Sequence, residues 1–95
     1  GVKVAEPALD LAAVLAIISS FKNRPLAEKL AVCGEIGLSG EIRTIQKGQD
    51  RIKEAAKLGF TKIIVPKANA PKDKIPGVEV IAVDSLEQVI QYCFG

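Results

Sequence analysis

Six aliphatic hydroxyls, two thiols, eleven carboxylates and thirteen cationic side chains are the groups in this sequence from which a reaction or a ligand site could be built; histidine is absent. A Ser–Lys hydrolase needs a hydroxyl and a lysine within hydrogen-bond reach, with the lysine pKa lowered by burial. None of Ser19, Ser20, Ser39, Ser85, Thr44 and Thr61 stands beside a lysine in a context that would bury the pair. Ser19 and Ser20 read as bonding back to their own helix, and Ser39 to its turn. Glu6 and Asp10 fall where a helix begins, and free N–H groups and the helix dipole favour acids there; no second acid or metal partner accompanies them. Cys33 and Cys93 lie in separate apolar runs, with neither metal-ligand spacing nor the density of a secreted disulfide scaffold. They are expected to be buried, reduced thiols of a cytoplasmic protein, and no metal site is expected.

Gly34, Gly37 and Gly40 recur at a spacing that could cradle a phosphate. A phosphate loop, however, leads from a strand into a helix N-terminus and carries Gly-Lys-Ser/Thr. Here β-type sequence stands on both sides, so the run reads as a hairpin turn.

Charge is the remaining signal. Residues 1–45 carry five basic and five acidic side chains; residues 46–76 carry eight basic against three acidic, a +5 block; residues 77–95 carry three acids and no base. Such asymmetry marks a polyanion-facing surface, or else a solvated helix face followed by a Lys-rich loop. Arg43, Lys47 and Arg51, around the hairpin end and the next helix start, are the first candidates for phosphate contact, followed by Lys67, Lys72 and Lys74 in the loop. Aromatics are only Phe21, Phe60, Tyr92 and Phe94, too few for a single-strand binder that stacks bases on exposed rings.

The elements that must position these groups fit one domain, since 95 residues suffice for one core. Val2–Ala5 reads as the end of a strand, and Pro7 suits the first turn of a helix. Ala8–Phe21 is Ala, Leu, Val and Ile almost throughout, so this helix is expected to be apolar nearly all round and deeply buried. The apolar run Leu9–Phe21 is too short to span a bilayer and lacks the features of a signal peptide. Lys29–Ile36 reads as a central strand, Gly37–Gly40 as a tight turn and Glu41–Ile45 as the returning strand. Gly48–Leu58 is an amphipathic helix stopped by Gly59. Lys62–Val65 is a strand closed by Pro66, 67–77 a Pro- and Lys-rich loop, and Val78–Val83 a further strand. Asp84-Ser85-Leu86-Glu87 opens and caps a last helix. The order β-α-β-β-α-β-β-α predicts a mixed α/β (α+β) layer structure.

The segment Gly34-Glu35-Ile36-Gly37-Leu38-Ser39-Gly40-Glu41-Ile42 resembles the hairpin of Lon-type proteolytic domains. The runs from Asp50 to Phe60 and from Ile63 to Asn69 resemble that family's next helix and strand. Asp10-Leu11-Ala12, Ser19-Ser20, Arg24-Pro25-Leu26 and Glu54–Phe60 are similar to the RadA-type DNA repair branch of that family. The resemblance spans all 95 residues. It implies the Lon-type fold, within the broader ribosomal-protein S-five domain-two-like class. In active Lon-type domains the nucleophile lies in Gly-Pro-Ser-Ala-Gly; the matching run here is Glu6-Pro7-Ala8-Leu9-Asp10, which puts Ala8 at the nucleophile position. Register from the Ala-Ala and Gly-Phe positions puts Gln49 at the position of the family's lysine. A methyl cannot attack and an amide cannot act as the base, so the resemblance implies a domain without peptidase activity.

For a RadA-type protein the resemblance further implies a ring scaffold, hexameric in the whole protein, that helps to hold DNA weakly and without sequence preference, in recombination and branch migration. ATP, Mg and Zn would belong to an ATPase core and a zinc-binding segment upstream. This sequence has no Walker-type Gly-Lys-Thr loop and no Cys-x-x-Cys, so no cofactor and no membrane are expected for it. The family's additional strands before the apolar helix imply that the chain starts inside its domain, which would favour self-association. Two alternatives share the hairpin. One is an active Ser–Lys peptidase, against which Ala8 and Gln49 speak. The other is the Lon-like segment of a ComM-type motor, which matches Glu54–Phe60 and Lys67–Asn69 less well.

Overall fold

The computed structural model describes residues 10–95. The expected strand Val2–Ala5 and the positions Glu6 and Ala8 lie outside the described residues. The elements run α1 (Asp10–Lys22), β1 (Leu30–Val32), β2 (Glu35–Ile36), β3 (Ile42–Arg43), α2 (Gly48–Lys57), β4 (Lys62–Pro66), a 3-10 turn (Lys67–Asn69), β5 (Glu79–Val83) and α3 (Leu86–Phe94). β1, β4 and β5 form a parallel sheet in the order β1-β4-β5, and β2 and β3 form a separate antiparallel hairpin.

β4 is the centre of this sheet because its sequence, Lys-Ile-Ile-Val-Pro, offers apolar side chains to both faces; Ile63, Ile64, Val65 and Pro66 are all buried. Alternation along the strand sends Ile63 and Val65 to a cluster with Ile52 of α2, flanked by Ala31, Cys33 and Val80. It sends Ile64 the other way, to Leu11 and Leu15 of α1, Ile42, Val83, and Val89 and Phe94 of α3. The sheet is thus covered by α2 on one side and by α1, α3 and the hairpin on the other.

The single strand expected over Lys29–Ile36 is two strands in different sheets. The chain leaves the parallel sheet at Gly34, whose carbonyl accepts the Leu11 N–H at 3.2 Å. A Cβ at Gly34 would lie 3.1 Å from Ile42 Cγ2 and 3.2 Å from Leu11 Cδ2, so a side chain there would press both methyls back by a few tenths of an ångström. The hairpin turn is as expected: Gly40 sits at φ 83, and its N–H reaches the Gly37 carbonyl at 3.0 Å.

α1 departs from expectation. Leu11 and Leu15 are fully buried, but Ile17 is 68% and Phe21 91% exposed. The helix packs on one side only, and its other apolar side meets no described element. Ser19 accounts for its end, donating its hydroxyl to the Arg24 carbonyl while accepting the Arg24 N–H through its own carbonyl. Arg24 then reaches the last turn of α3, donating to the Phe94 carbonyl at 2.7 Å with its guanidinium 5.7 Å from the Phe94 ring.

α2 stops where Gly59, at φ 97, turns the chain and the N–H groups of Gly59 and Phe60 cap the carbonyls of Ala56 and Ala55. α3 starts with Ser85, whose hydroxyl accepts the Gln88 N–H at 3.2 Å; Gln88 reciprocates by accepting the Asp84 N–H at 2.7 Å.

Candidate functional site

The basic block is spread over α2, the start of β4 and the loop that follows it, and one asparagine ties the first turn of α2 to that loop. Asn69, at the end of the 3-10 turn, accepts the Ile45 N–H at 2.8 Å through Oδ1 and donates to the Ile45 carbonyl at 3.2 Å through Nδ2. The chain entering α2 is thereby tied to the exit of β4. Gly48 lies against this amide so closely that a Cβ there would sit 2.5 Å from Asn69 Nδ2. Gln49 completes the arrangement by donating to the Asn69 carbonyl at 2.8 Å.

Between these segments runs an open groove of about 600 Å³, lined by Gln49, Lys53, Lys72, Asp73, Lys74 and Ile75 among others. The loop forms one wall. On its far side a second groove of about 500 Å³ separates it from Val78, Val80 and Ala82. Gln49 and Lys53 share a helix face at i, i+4, and Lys53, Lys72 and Lys74 are all exposed. Three ammonium groups against the one carboxylate of Asp73 leave the first groove cationic.

The predicted positions divide as follows. Lys72 and Lys74 line the groove. Lys47 stands exposed immediately before α2 in a left-handed conformation, φ 56 and ψ 36, without a side-chain cap. Lys67 is exposed at the start of the 3-10 turn and is not among the residues lining the groove. Arg43 is engaged on the hairpin, 2.9 Å from Glu41. That carboxylate also accepts the Ser39 N–H, and its pKa is held low by its own backbone amide and by Arg43. Arg51 points elsewhere: its Nε lies 3.4 Å from the Gln46 carbonyl, and it lines a different, apolar pocket with Cys33, Leu58 and Phe60. The six cations are therefore not gathered on one surface. Lys53 was not among the sequence candidates, although its i, i+4 spacing from Gln49 could have marked it. Asn69 belongs to a run that resembles the family's strand, and nothing in one sequence betrays a clamp across 24 residues.

Gln49, which the Lon-type resemblance sets at the lysine position, is exposed and bonded through its amide; Ala8 lies outside the described residues. Ser19 and Ser85 hold structural bonds at helix ends. Burial pushes the Cys33 thiol pKa up, partly offset by the Arg51 charge, and burial raises that of Cys93 as well. Among the described residues no cluster of His, Cys, Asp or Glu could hold a metal ion, and no helix is long and apolar enough to cross a membrane.

Residues 1–69 match the family described as "Subunit ChlI of Mg-chelatase". The chain is 54% identical to a DNA repair protein RadA of Pseudomonas aeruginosa over 94 residues, covering 99% of the chain and 21% of that protein. It is 50% identical to the RadA of Escherichia coli K12 over 90 residues, covering 95% of the chain and 20% of that protein. Against the RadA of Streptococcus pyogenes serotype M6 the identity is 50% over 96 residues, or 100% of the chain and 21% of the relative. The chain spans about a fifth of the length of the curated relatives it matches.

Proposed function

Since the chain belongs to the ChlI family and is a RadA-type sequence over nearly its whole length, we propose that it is the non-hydrolytic scaffold and DNA-contact domain of a RadA-type DNA repair protein. The observation that carries the DNA reading is the groove that Lys53 of α2 lines together with Lys72 and Lys74 of the loop. Ammonium groups lining an open channel attract phosphates regardless of base, and each neutralised phosphate releases counterions. Lys47 and Lys67 extend the same charge along its approaches, whereas Arg43 and Arg51 contribute through the general field.

The fold reading is a Lon-type domain whose dyad is lost at both positions, Ala8 and Gln49. In this reading ATP, Mg and Zn act in other domains of a ring-forming parent, and this domain supports the ring. Casein or a fluorogenic peptide should not be turned over by the chain. Turnover above a buffer control that a mutation in this chain abolishes would overturn the non-hydrolytic reading.

The DNA reading is tested by fluorescence anisotropy with labelled duplex and single-stranded oligonucleotides. Binding should be weak, salt-sensitive and indifferent to sequence. Lys53→Glu combined with Lys74→Glu should weaken all sequences alike and lower the slope of log K against log salt by about one for each phosphate no longer neutralised. Arg43→Glu, on the hairpin, should change little. Equal binding by the double variant and the parent at low salt would reduce the groove to a solvated surface.

A further inference from the structure

Among the described residues β5 is an edge of the parallel sheet, met by the hairpin only beyond its end, where the Asp84 carbonyl accepts the Ile42 N–H at 2.9 Å. Natural edge strands are kept short or carry an inward charge, lysine, proline or a bulge. β5 pairs with β4 through an unbroken register of five residues, and Val80-Ile81-Ala82-Val83 contains none of those devices. The Glu79 N–H is given to the Thr61 carbonyl, so alternation turns the N–H and C=O of Val80 and Ala82 away from β4, toward the open side. Val80 is half-buried and Ala82 exposed.

A groove opens on each face of this edge. On the loop side, Val80 and Ala82 face Lys72 and Lys74 across about 500 Å³. On the α3 side, Ile81 and Val83 face Tyr92 and Glu87 across about 580 Å³. An extended chain laid beside β5 would send successive side chains into these two grooves in turn, which is how strand addition obtains specificity.

Charge selects the occupant. Residues 77–95 hold Glu79, Asp84 and Glu87, all exposed, and no basic residue. Lys62 of β4 is the register partner of Glu79, so Glu79 and Glu87 on the α3 face stand against one ammonium, while Arg24 is engaged with Phe94 at the far end of α3. A second copy pairing β5 with β5 about a two-fold axis at Ile81 would place Glu79 opposite Val83, next to the other copy's Asp84, at both ends of the ladder. Like charges so placed destabilise pairing.

We propose that β5 is a docking edge for an extended peptide segment of a partner, with basic side chains on its α3 face and small apolar ones on its loop face. This goes beyond DNA contact and does not depend on it.

The test uses the whole chain and a fluorescent Lys-Val-Lys-Val-Lys-Val-Lys peptide, with a version N-methylated at alternate backbone nitrogens that keeps every side chain. The unmodified peptide should bind and shift the amide resonances of Val80 and Ala82. N-methylation on the pairing edge should weaken binding at least tenfold, and Glu79→Lys with Glu87→Lys should do the same. Equal binding of both peptides would mean charge attraction without strand pairing, and would overturn the proposal. So would concentration-dependent shifts at Val80 and Ala82 in the free protein, which would identify the occupant as a second copy.

Discussion

Replacing Gly48 by alanine reverses an ordinary expectation. In a helix that exchange is normally stabilising by about 0.4–1 kcal/mol, through the smaller entropy of the unfolded chain and better helix propensity. Here the new methyl carbon would stand 2.5 Å from Asn69 Nδ2, 2.8 Å from Cγ and 3.1 Å from Cβ. The amide would have to retreat by roughly an ångström to restore ordinary van der Waals distances. It is held by bonds of 2.8 and 3.2 Å to both polar groups of the Ile45 backbone. A retreat on that scale breaks at least one of them. The residue left short of a partner is buried, at 8% exposure, and an unsatisfied buried backbone group costs about 1–3 kcal/mol. At the middle of these ranges the loss exceeds the gain, and Gly48→Ala should destabilise by about 1–2 kcal/mol net. In an Asn69→Ala background most of the obstacle is gone, and the same substitution should become neutral or stabilising by up to about 1 kcal/mol. The expected coupling between the two positions is about 1–3 kcal/mol. Urea unfolding of the four proteins of this cycle measures it through their midpoints at a common m value. Additive effects, or a Gly48→Ala protein at least as stable as the parent, would refute the rigid clamp.

Asn69→Ala alone should cost about 2–4 kcal/mol from two missing bonds and an unpaired Ile45 N–H, and so lower the thermal midpoint by something like 10–20 °C in calorimetry. Ser85→Ala removes the acceptor for Gln88 N–H at the start of α3 and should cost about 1 kcal/mol by urea titration, with Ser85→Gly costing only a few tenths. Burial raises the pKa of Cys33 and Cys93 in the folded state. Their contribution is fully present below the unfolded thiol pKa and is lost as pH rises through the folded values, because only the unfolded chain then releases the protons. Stability should thus decline above the ordinary thiol range, and Cys33→Ser should flatten that decline in unfolding midpoints measured across alkaline pH. Cys33 should also be alkylated more slowly in the folded chain than in the same chain in urea.

Much of the architecture was legible from local chemistry. Pro66, Gly59 and the Asp84–Glu87 run mark boundaries because backbone geometry and capping act within a few residues, and β4 announced itself by apolar side chains at successive positions. The proposed loss of the hydrolytic pair also rests on the sequence, through Ala8 and Gln49 at the positions that the Lon-type resemblance assigns. What the sequence could not decide depends on what lies opposite. Lys29–Ile36 is one β-rich run, yet it serves two sheets because Gly34 crosses the start of α1 at van der Waals distance. The helix from Asp10 onward is apolar on several sides, but only the tertiary arrangement determines that Leu11 and Leu15 face the core while Phe21 does not. The cations of residues 46–76 are one block along the chain. The fold separates them, turning Arg51 toward Cys33 and Lys53 toward the loop, because a helix carries residues two apart to different faces and β4 brings Asn69 back to Ile45. Charge is a property of residues, but a charged groove is a property of distances between residues far apart in sequence.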